Sequence, residues 1–195
     1  MRPRTLRAMP LFPLLAAVLV ACFGSSPKMT FHTLGVDVTA APRAVSRFKS
    51  LGVGPITLPA LLEQSGVVLR KDNYTVELSS THEWGGKLAD ELLRALTRYL
   101  QLRLPGVQVI SVPWETAQAP QIQLALSLDR FDGSPGGQAV LMGTWILQNP
   151  EDGRSIAVNQ VSLKEKVEGD SVHALVEAQA KLVVRLGERV VRGLR

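Results

Sequence analysis

Cysteine is almost absent from this chain, since its 195 residues contain only Cys22. One thiol cannot form an internal disulfide, and residues 23–195 hold neither a disulfide pair nor a thiolate zinc set. Aromatic residues are also scarce, at 5% of the chain. A fold of this composition must be stabilised by aliphatic core packing, for which the length is sufficient.

The residue patterns of catalytic sites are missing too. The three histidines, His32, His82 and His173, stand far apart in the sequence, without a His-x-x-x-His or Glu-x-x-His pair that could hold a metal. There is no Gly-x-Ser-x-Gly motif, and the glycines before Pro55 are not followed by the Gly-Lys-Ser/Thr of a phosphate-binding loop. We therefore predict a structural or surface role for each histidine, and a protein with no catalytic residue, no cofactor and no metal site.

The apolar run near the N-terminus is too short for a transmembrane helix. Leu11 to Val20 is roughly half of the ~20 residues that such a helix needs, and no comparable run follows. Three arginines (residues 2, 4 and 7) precede the run and the small Ala21 ends it, which is typical of a secretion signal. We predict a signal peptide over residues 1–21.

The position of Cys22 gives this signal a more specific meaning. Leu19-Val20-Ala21-Cys22 is similar to the box of bacterial lipoprotein signals. In those signals the cysteine sulfur receives a diacylglyceryl group, cleavage leaves the cysteine as the first residue, and its new amine is acylated. The alternative is an ordinary signal peptide followed by an incidental free cysteine. We predict a lipidated Cys22 and a short linker over residues 22–28. Phe23 stands where an aspartate would retain a lipoprotein in the inner membrane, which favours the outer membrane.

The apparent basicity of the chain comes largely from this signal. The formal charge is +5, but removal of residues 1–21 takes away three arginines and leaves 19 basic and 17 acidic residues. A mature net charge of +2 gives no support to a nucleic-acid partner.

Hydrophobic periodicity predicts an α+β domain over residues 29–195. Strands are expected at 29–36, 48–58 and 107–111, with a hairpin turning at 71–73. Apolar residues at helical spacing predict amphipathic helices from Lys87 to about Leu104 and from Asp170-Ser171 onward. Between them, three alternating segments joined by turn-rich linkers predict an antiparallel meander. The fold class is a two-layer sandwich, with two helices on one face of a mixed, mostly antiparallel sheet.

Three segments resemble the ABC-type transport auxiliary lipoprotein family. They are "SLGVGPITLPALLEQSGVVLR" (50–70), "YTVELSSTHEWGGKLADELLRALTRYLQLRLPG" (74–106) and "LSLDRFDGSPGGQAVLMGTWIL" (126–147). With the lipoprotein box, the resemblance runs through nearly the whole chain in order. Two departures stand close together: Glu83 occupies a position where arginine is usual, and residues 85–87 replace Ala-Glu-Pro.

The resemblance implies a function without catalysis. It implies an envelope lipoprotein, anchored by its lipid and facing the periplasm, that works with an MCE-domain protein and ABC transporter subunits to move lipid between membranes. A homo-oligomeric ring is one form in which it could dock on an MCE assembly. The alternatives are an outer-membrane activator of a cell-wall synthase, for which the linker is short, a periplasmic lipid carrier, and a periplasmic hydrolase, which no motif supports.

Five residues are candidates for partner contact. Trp84 and Trp114 are predicted to lie at loops, where aromatic residues serve either as the rim of the core or as interface anchors. Pro55 and Pro59 cannot donate a backbone hydrogen bond, so their segment is predicted to lie at a sheet edge or to leave the sheet. Leu58, between them, is expected either to close the core or to join an apolar ridge on the surface.

Overall fold

The computed structural model describes residues 27–36, 43–115 and 119–195. The predicted signal peptide, Cys22 and the first residues of the linker lie outside these ranges, so their roles stay predictions. The described elements, in chain order, are β1 (Thr30–His32), β2 (Ser50–Thr57), a 3-10 helix (Ala60–Glu63), β3 (Gly66–Arg70), β4 (Val76–Trp84), α1 (Leu88–Arg103), β5 (Gln108–Ser111), β6 (Ile122–Gly133), β7 (Gln138–Gln148), β8 (Ser155–Lys166) and α2 (Val172–Gly193).

The antiparallel meander of β6, β7 and β8 forms the larger half of the sheet, as predicted. Along β6, the alternation of Ile122, Leu124, Leu126 and Leu128 directs these four side chains to one buried face. The turns between the strands contain Gly136 and Gly153, whose φ angles of 70° and 69° lie in the left-handed region that glycine adopts without strain.

The other edge of β6 is shared by two shorter strand groups. β2 pairs in parallel with the first half of β6 and carries β5 on its far side, whereas β3 reaches the last residue of β6 and carries β4 and then β1. Of the seven strand pairings among the described residues, four are parallel, but the two longest ladders are antiparallel. The sheet is therefore mixed and open, and the predicted fold class is confirmed.

β1 is shorter than the sequence indicates, three residues instead of eight. The amide of Leu34 donates a hydrogen bond of 3.1 Å to the buried carboxylate of Glu91 in α1. The chain is thereby drawn away from the sheet edge and onto the helix layer just after His32.

Both helices pack on one face of the sheet and against each other. α1 lies over β2 and β5, and α2 lies over β7 and β8. The side chain of Ser171 accepts a hydrogen bond of 3.1 Å from the amide of Ala174, so the predicted cap of α2 is confirmed. At the helix crossing, a Cβ on Gly187 would overlap the ring of the fully buried Tyr99, so the two helices approach as closely as glycine permits.

The two helices run in the same direction. Their first turns lie beside the segment after β1, where Glu91 binds Leu34 and His173 faces His32. Their last turns lie beside residues 44–47, since Ala44 donates to the carbonyl of Arg103 and Arg47 donates to that of Leu194. No helix in the described part of the chain combines the length and the apolar character needed to cross a bilayer.

Candidate functional site

Two of the three segments that resemble the family, residues 74–106 and 126–147, meet in the core rather than at a surface cleft. Trp84, at the end of β4, is 3% exposed, and its ring tilts against that of Phe131 in β6, with centroids 6.3 Å apart. β4 is connected to β6 only through the five-residue strand β3, which pairs with β6 at a single position. The aromatic pair therefore links the β1–β4–β3 group to β6, where few backbone hydrogen bonds do so. Of the two roles predicted for Trp84, the structure favours the core over partner contact, because the ring is buried.

The aspartate after Phe131 has an equally internal role. Asp132 is 4% exposed and its carboxylate accepts two hydrogen bonds, from Arg70 Nη2 at 2.6 Å and from Arg130 Nε at 2.8 Å. Arg70 comes from β3, so this ion pair joins β3 to β6 beside their single bridging pair, Leu69 and Gly133. The Arg130-Phe131-Asp132 sequence thus stabilises the contact between β3 and β6.

The remaining candidates for partner contact lie around β2. This strand is internal as far as Val53, where it has β5 on one side and β6 on the other. The register of β2 to β6 then shifts at Gly54 and Pro55, after the pairing of β2 with β5 has ended. The missing amide of Pro55 therefore lies at this irregularity and removes no hydrogen bond from a regular part of the sheet. Pro55 is exposed, and Pro59 is exposed at the start of the 3-10 helix, outside the sheet.

Leu58, which lies between the two prolines in the sequence, and Trp114 differ in exposure. Leu58 is 8% exposed and packs in the core, so the structure places it away from the surface ridge that was one of its two predicted roles. Trp114 is half-buried, and its ring covers Gly52 so closely that a Cβ there would lie 2.7 Å from it. Gly52 alternates with the buried Leu51 and Val53, so Trp114 covers the sheet face opposite the helices.

Trp114 also lines an open depression at the free edge of β5. Its volume is about 450 Å³, and its walls are Pro113 to Glu115, residues of β5, and Thr97 and Gln101 of α1. Because a Cβ on Gly54 would lie 2.5 Å from Val112, the segments of Pro55 and Trp114 are neighbours. We call Pro55, Pro59 and residues 113–115 the proline corner; Trp84 lies in the other strand group, away from it.

The three histidines, which stand far apart in the sequence, are brought together by the fold. His32 of β1 is 6% exposed, its Nε2 lies 2.8 Å from Nδ1 of His82 in β4, and their rings stack with centroids 5.1 Å apart. His173, in the first turn of α2, is tilted toward His32 at 6.2 Å and lies 3.2 Å from Glu177. Parallel pairing of β1 with β4 brings His32 and His82 together, although they are fifty positions apart in the sequence.

The surroundings of His32 favour its neutral ring. Burial lowers the pKa of His32 below its usual value of 6.5, and charges on His82 and His173 would lower it further. The hydrogen bond between His32 and His82 needs one donor and one acceptor nitrogen, so it cannot persist when both rings are protonated. Across the described residues, no group of three histidine, cysteine or acidic side chains is arranged to hold a metal ion. The cluster is a clasp that holds β1 to the domain.

Comparison with known proteins agrees with the motifs. The model of a family described as "ABC-type transport auxiliary lipoprotein component" matches residues 32–191. The intermembrane transport lipoprotein PqiC of Escherichia coli K12 is 25% identical over 132 residues, which cover 67% of this chain and 69% of that protein. PqiC of Shigella flexneri matches to the same extent.

Solved structures show the same fold. A crystal structure of an uncharacterized protein aligns with a TM-score of 0.71 at 21% identity, covering 86% of this chain and 99% of the other. Protein XCC0632 from Xanthomonas campestris aligns with a TM-score of 0.67 at 15% identity, covering 83% and 92%. At these identities the likeness extends to the fold alone.

Proposed function

This chain belongs to the ABC-type transport auxiliary lipoprotein family, and from that premise we propose that it is a non-catalytic accessory subunit of an MCE/ABC system that moves lipid between the inner and outer membranes. It is anchored through acylated Cys22, faces the periplasm, and resides in the outer membrane. Its contribution is to bind other subunits: an MCE-domain protein and the ABC transporter components.

The observation that carries this proposal is the match of residues 32–191 to the family model. The similarity of the chain to a relative named as an intermembrane transport lipoprotein supports it. The positions of the motif residues support the proposal that the protein acts without catalysis. Trp84, Phe131 and Asp132 are used to join strands, and none of them lines the depression at the free edge of β5. Residues that fasten a scaffold are expected in a binding subunit.

The geometry of the anchor keeps the domain near its membrane. From Cys22 to the start of β1 at Thr30 there are eight residue steps, which span roughly 26 Å when fully extended. A domain on so short a tether can contact membrane-bound subunits, but it cannot reach far across the periplasm. This favours a transport assembly over a distant cell-wall synthase.

The proline corner is the surface we propose for the partner. It combines an exposed proline pair with a half-buried tryptophan beside an open depression, and rigid apolar groups of this kind anchor interfaces at low entropic cost. A ring of several copies around an MCE assembly would present several such corners at once.

Site-specific crosslinking in intact cells tests the proposal. A photoreactive residue replaces Pro59 or Glu115 at the proline corner, or Tyr74 in the β3–β4 turn as the matched control, since Tyr74 is 96% exposed. We expect the first two positions to capture an MCE-domain protein or a transporter subunit and the third to capture neither. If no position captures such a subunit from cells in which the system is expressed, the proposed function is wrong.

A second measurement concerns the anchor alone. Mass spectrometry of the mature protein should find acyl chains on Cys22, and a Cys22→Ala variant should leave the membrane fraction. An unmodified thiol would overturn the proposed anchoring.

A further inference from the structure

Positive charge is concentrated at the end of the domain where both helices terminate. Three segments meet there, residues 43–49, 103–108 and 189–195, and together they hold seven basic residues and no acidic one. The backbone hydrogen bonds of Ala44 and Arg47 to the ends of α1 and α2 hold the segments together. We call this surface the basic pole. Its basic residues are Arg43, Arg47, Lys49, Arg103, Arg189, Arg192 and Arg195.

The cations of the basic pole form no ion pair with the described residues, although Glu188 directly precedes Arg189 in the sequence. Six of them are exposed, and the seventh, Arg103, is 7% exposed. Arg103 Nε donates to the hydroxyl of Tyr99 at 3.1 Å, while its Nη1 has no hydrogen-bond partner among the described residues.

Helix dipoles account for part of this arrangement only. Cations near a helix C-terminus are stabilised by the partial negative charge of the last carbonyl groups, which explains Arg103 and Arg192. Arg43, Arg47 and Lys49 belong to neither helix. With the mature chain at a net charge of +2, seven cations at one end leave the rest of the molecule negative.

The shape of the basic pole suits a ligand that carries phosphate groups. Two adjoining open depressions, of about 270 and 570 Å³, share Arg43 to Ser46 as a common wall. Lys49 lines the first of them, and Arg47 and Arg195 line the second. Arginine presents its N–H donors in a planar fork that matches the oxygen atoms of a phosphate, so these depressions offer several such contacts.

An exposed apolar residue stands between these cations. Val45 is 84% exposed, with Arg43 and Arg47 on either side of it in the sequence. An apolar side chain flanked by arginines is typical of a segment that lies at the interface of an anionic bilayer, where the cations bind headgroups and the apolar group enters the acyl boundary.

We propose that the basic pole binds the phosphate groups of anionic phospholipids at a bilayer surface. The choice of a bilayer over an acidic protein rests on the proposed function, because an acylated Cys22 holds the domain beside a membrane at high effective concentration. The tether joins the domain at β1, near the first turn of α1, and the basic pole lies about 24 Å away at the last turn of α1. The extended tether spans roughly 26 Å, so a domain whose helices lie parallel to the bilayer brings the basic pole to the same membrane.

A fluorescent probe at Val45 tests this proposal in the acylated protein. The Val45→Cys variant is labelled with an environment-sensitive dye and reconstituted into phosphatidylcholine vesicles, or into vesicles that contain ~30% phosphatidylglycerol. We expect a blue shift and at least about a twofold rise in emission on the anionic vesicles only, reversed by ~0.5 M salt because screening is then strong. The same dye at Tyr74→Cys, in the β3–β4 turn, should not respond.

Two matched charge variants isolate the basic pole. Arg43→Ser, Arg47→Ser and Lys49→Ser together should remove most of the emission rise on the vesicles with ~30% phosphatidylglycerol, since each basic residue near an anionic surface strengthens binding. The control removes three exposed lysines elsewhere, at positions 71, 164 and 166, and should keep the response.

Three results would overturn the proposal. They are equal emission on neutral and anionic vesicles, equal loss in the two triple variants, and full competition by millimolar inorganic phosphate, which would identify a site for the free ion. The unsubstituted chain serves as the labelling blank. If it takes up dye, Cys22 is not acylated and the proposed anchor fails, whereas the basic pole is then tested by sedimentation of the same protein with the two kinds of vesicle.

Discussion

Replacing Asp132 by alanine should destabilise the fold far more than replacing Asp129, three positions earlier on the same strand. Asp132 is buried and accepts hydrogen bonds from Arg70 and Arg130, whereas Asp129 is exposed. Both substitutions remove one carboxylate from β6, so the pair differs in burial and in ion pairing.

The magnitude follows from what the substitution leaves behind. Removing one partner of a buried ion pair costs ~3–5 kcal/mol, because the other charge stays desolvated. The side chains of Arg70 and Arg130 are 23% and 33% exposed, so water relieves part of this penalty. We expect Asp132→Ala to lower the free energy of unfolding by ~2–3 kcal/mol and Asp129→Ala by less than ~0.5 kcal/mol.

Urea denaturation followed by far-ultraviolet circular dichroism measures both values. A double-mutant cycle between Arg70→Ala and Asp132→Ala should then give a coupling energy of ~1 kcal/mol or more. If Asp132→Ala is as stable as Asp129→Ala but loses its crosslinks to transport subunits, the motif is a contact surface and our structural assignment is refuted.

Three further predictions concern packing, pH and the two tryptophans. Gly187→Ala should cost ~1–3 kcal/mol because its methyl group meets the ring of a fully buried tyrosine, whereas Gly106→Ala, with open space around it, should cost less than ~0.5 kcal/mol in the same denaturation assay. The lowered pKa of His32 means that, as the pH falls, the unfolded state binds a proton before the folded state does, so the free energy of unfolding should fall as the pH drops below about 6.5. A His32→Gln variant should reduce the slope of the free energy of unfolding against pH. An unchanged slope would exclude the histidine cluster as the source of this pH dependence. Trp84→Ala should lower stability by ~3–5 kcal/mol, whereas Trp114→Ala should cost less and mainly weaken crosslinking at the proline corner; the reverse order would contradict the assignment of the two rings.

The parts of the fold that sequence reasoning predicted are those set by local patterns. The alternation along β6 and the turn sequences on either side of β7 specify a meander without reference to the rest of the chain. The same holds for the two helices, whose apolar stripes and caps lie within a few residues of one another.

Long-range pairing explains what the sequence did not reveal. The histidine cluster depends on β1 lying parallel to β4, a pairing that no local pattern specifies and that aligns Thr30 with His82. Trp84 could not be assigned from its glycine-rich neighbours alone, because its burial depends on Phe131, 47 positions later. The basic pole was hidden for a related reason: its cations come from three distant segments, while the net charge of the mature chain is small.

One of the two departures from the family pattern, residues 85–87, lies at the surface. Trp84 is internal, but Gly85, Gly86 and Lys87 directly after it are exposed. Gly85 has a packing reason: its amide donates to the carbonyl of His32 at 2.7 Å, and a Cβ there would lie 3.2 Å from Thr33. Lys87 has no such constraint, since its side chain does not cap α1. Asp132 and the aromatic pair of Trp84 and Phe131 are used in the core. Under the proposed function we therefore expect exposed positions to determine the partner, and we predict that relatives serving different transporters differ at positions such as Lys87 and the proline corner while keeping Asp132 and the aromatic pair.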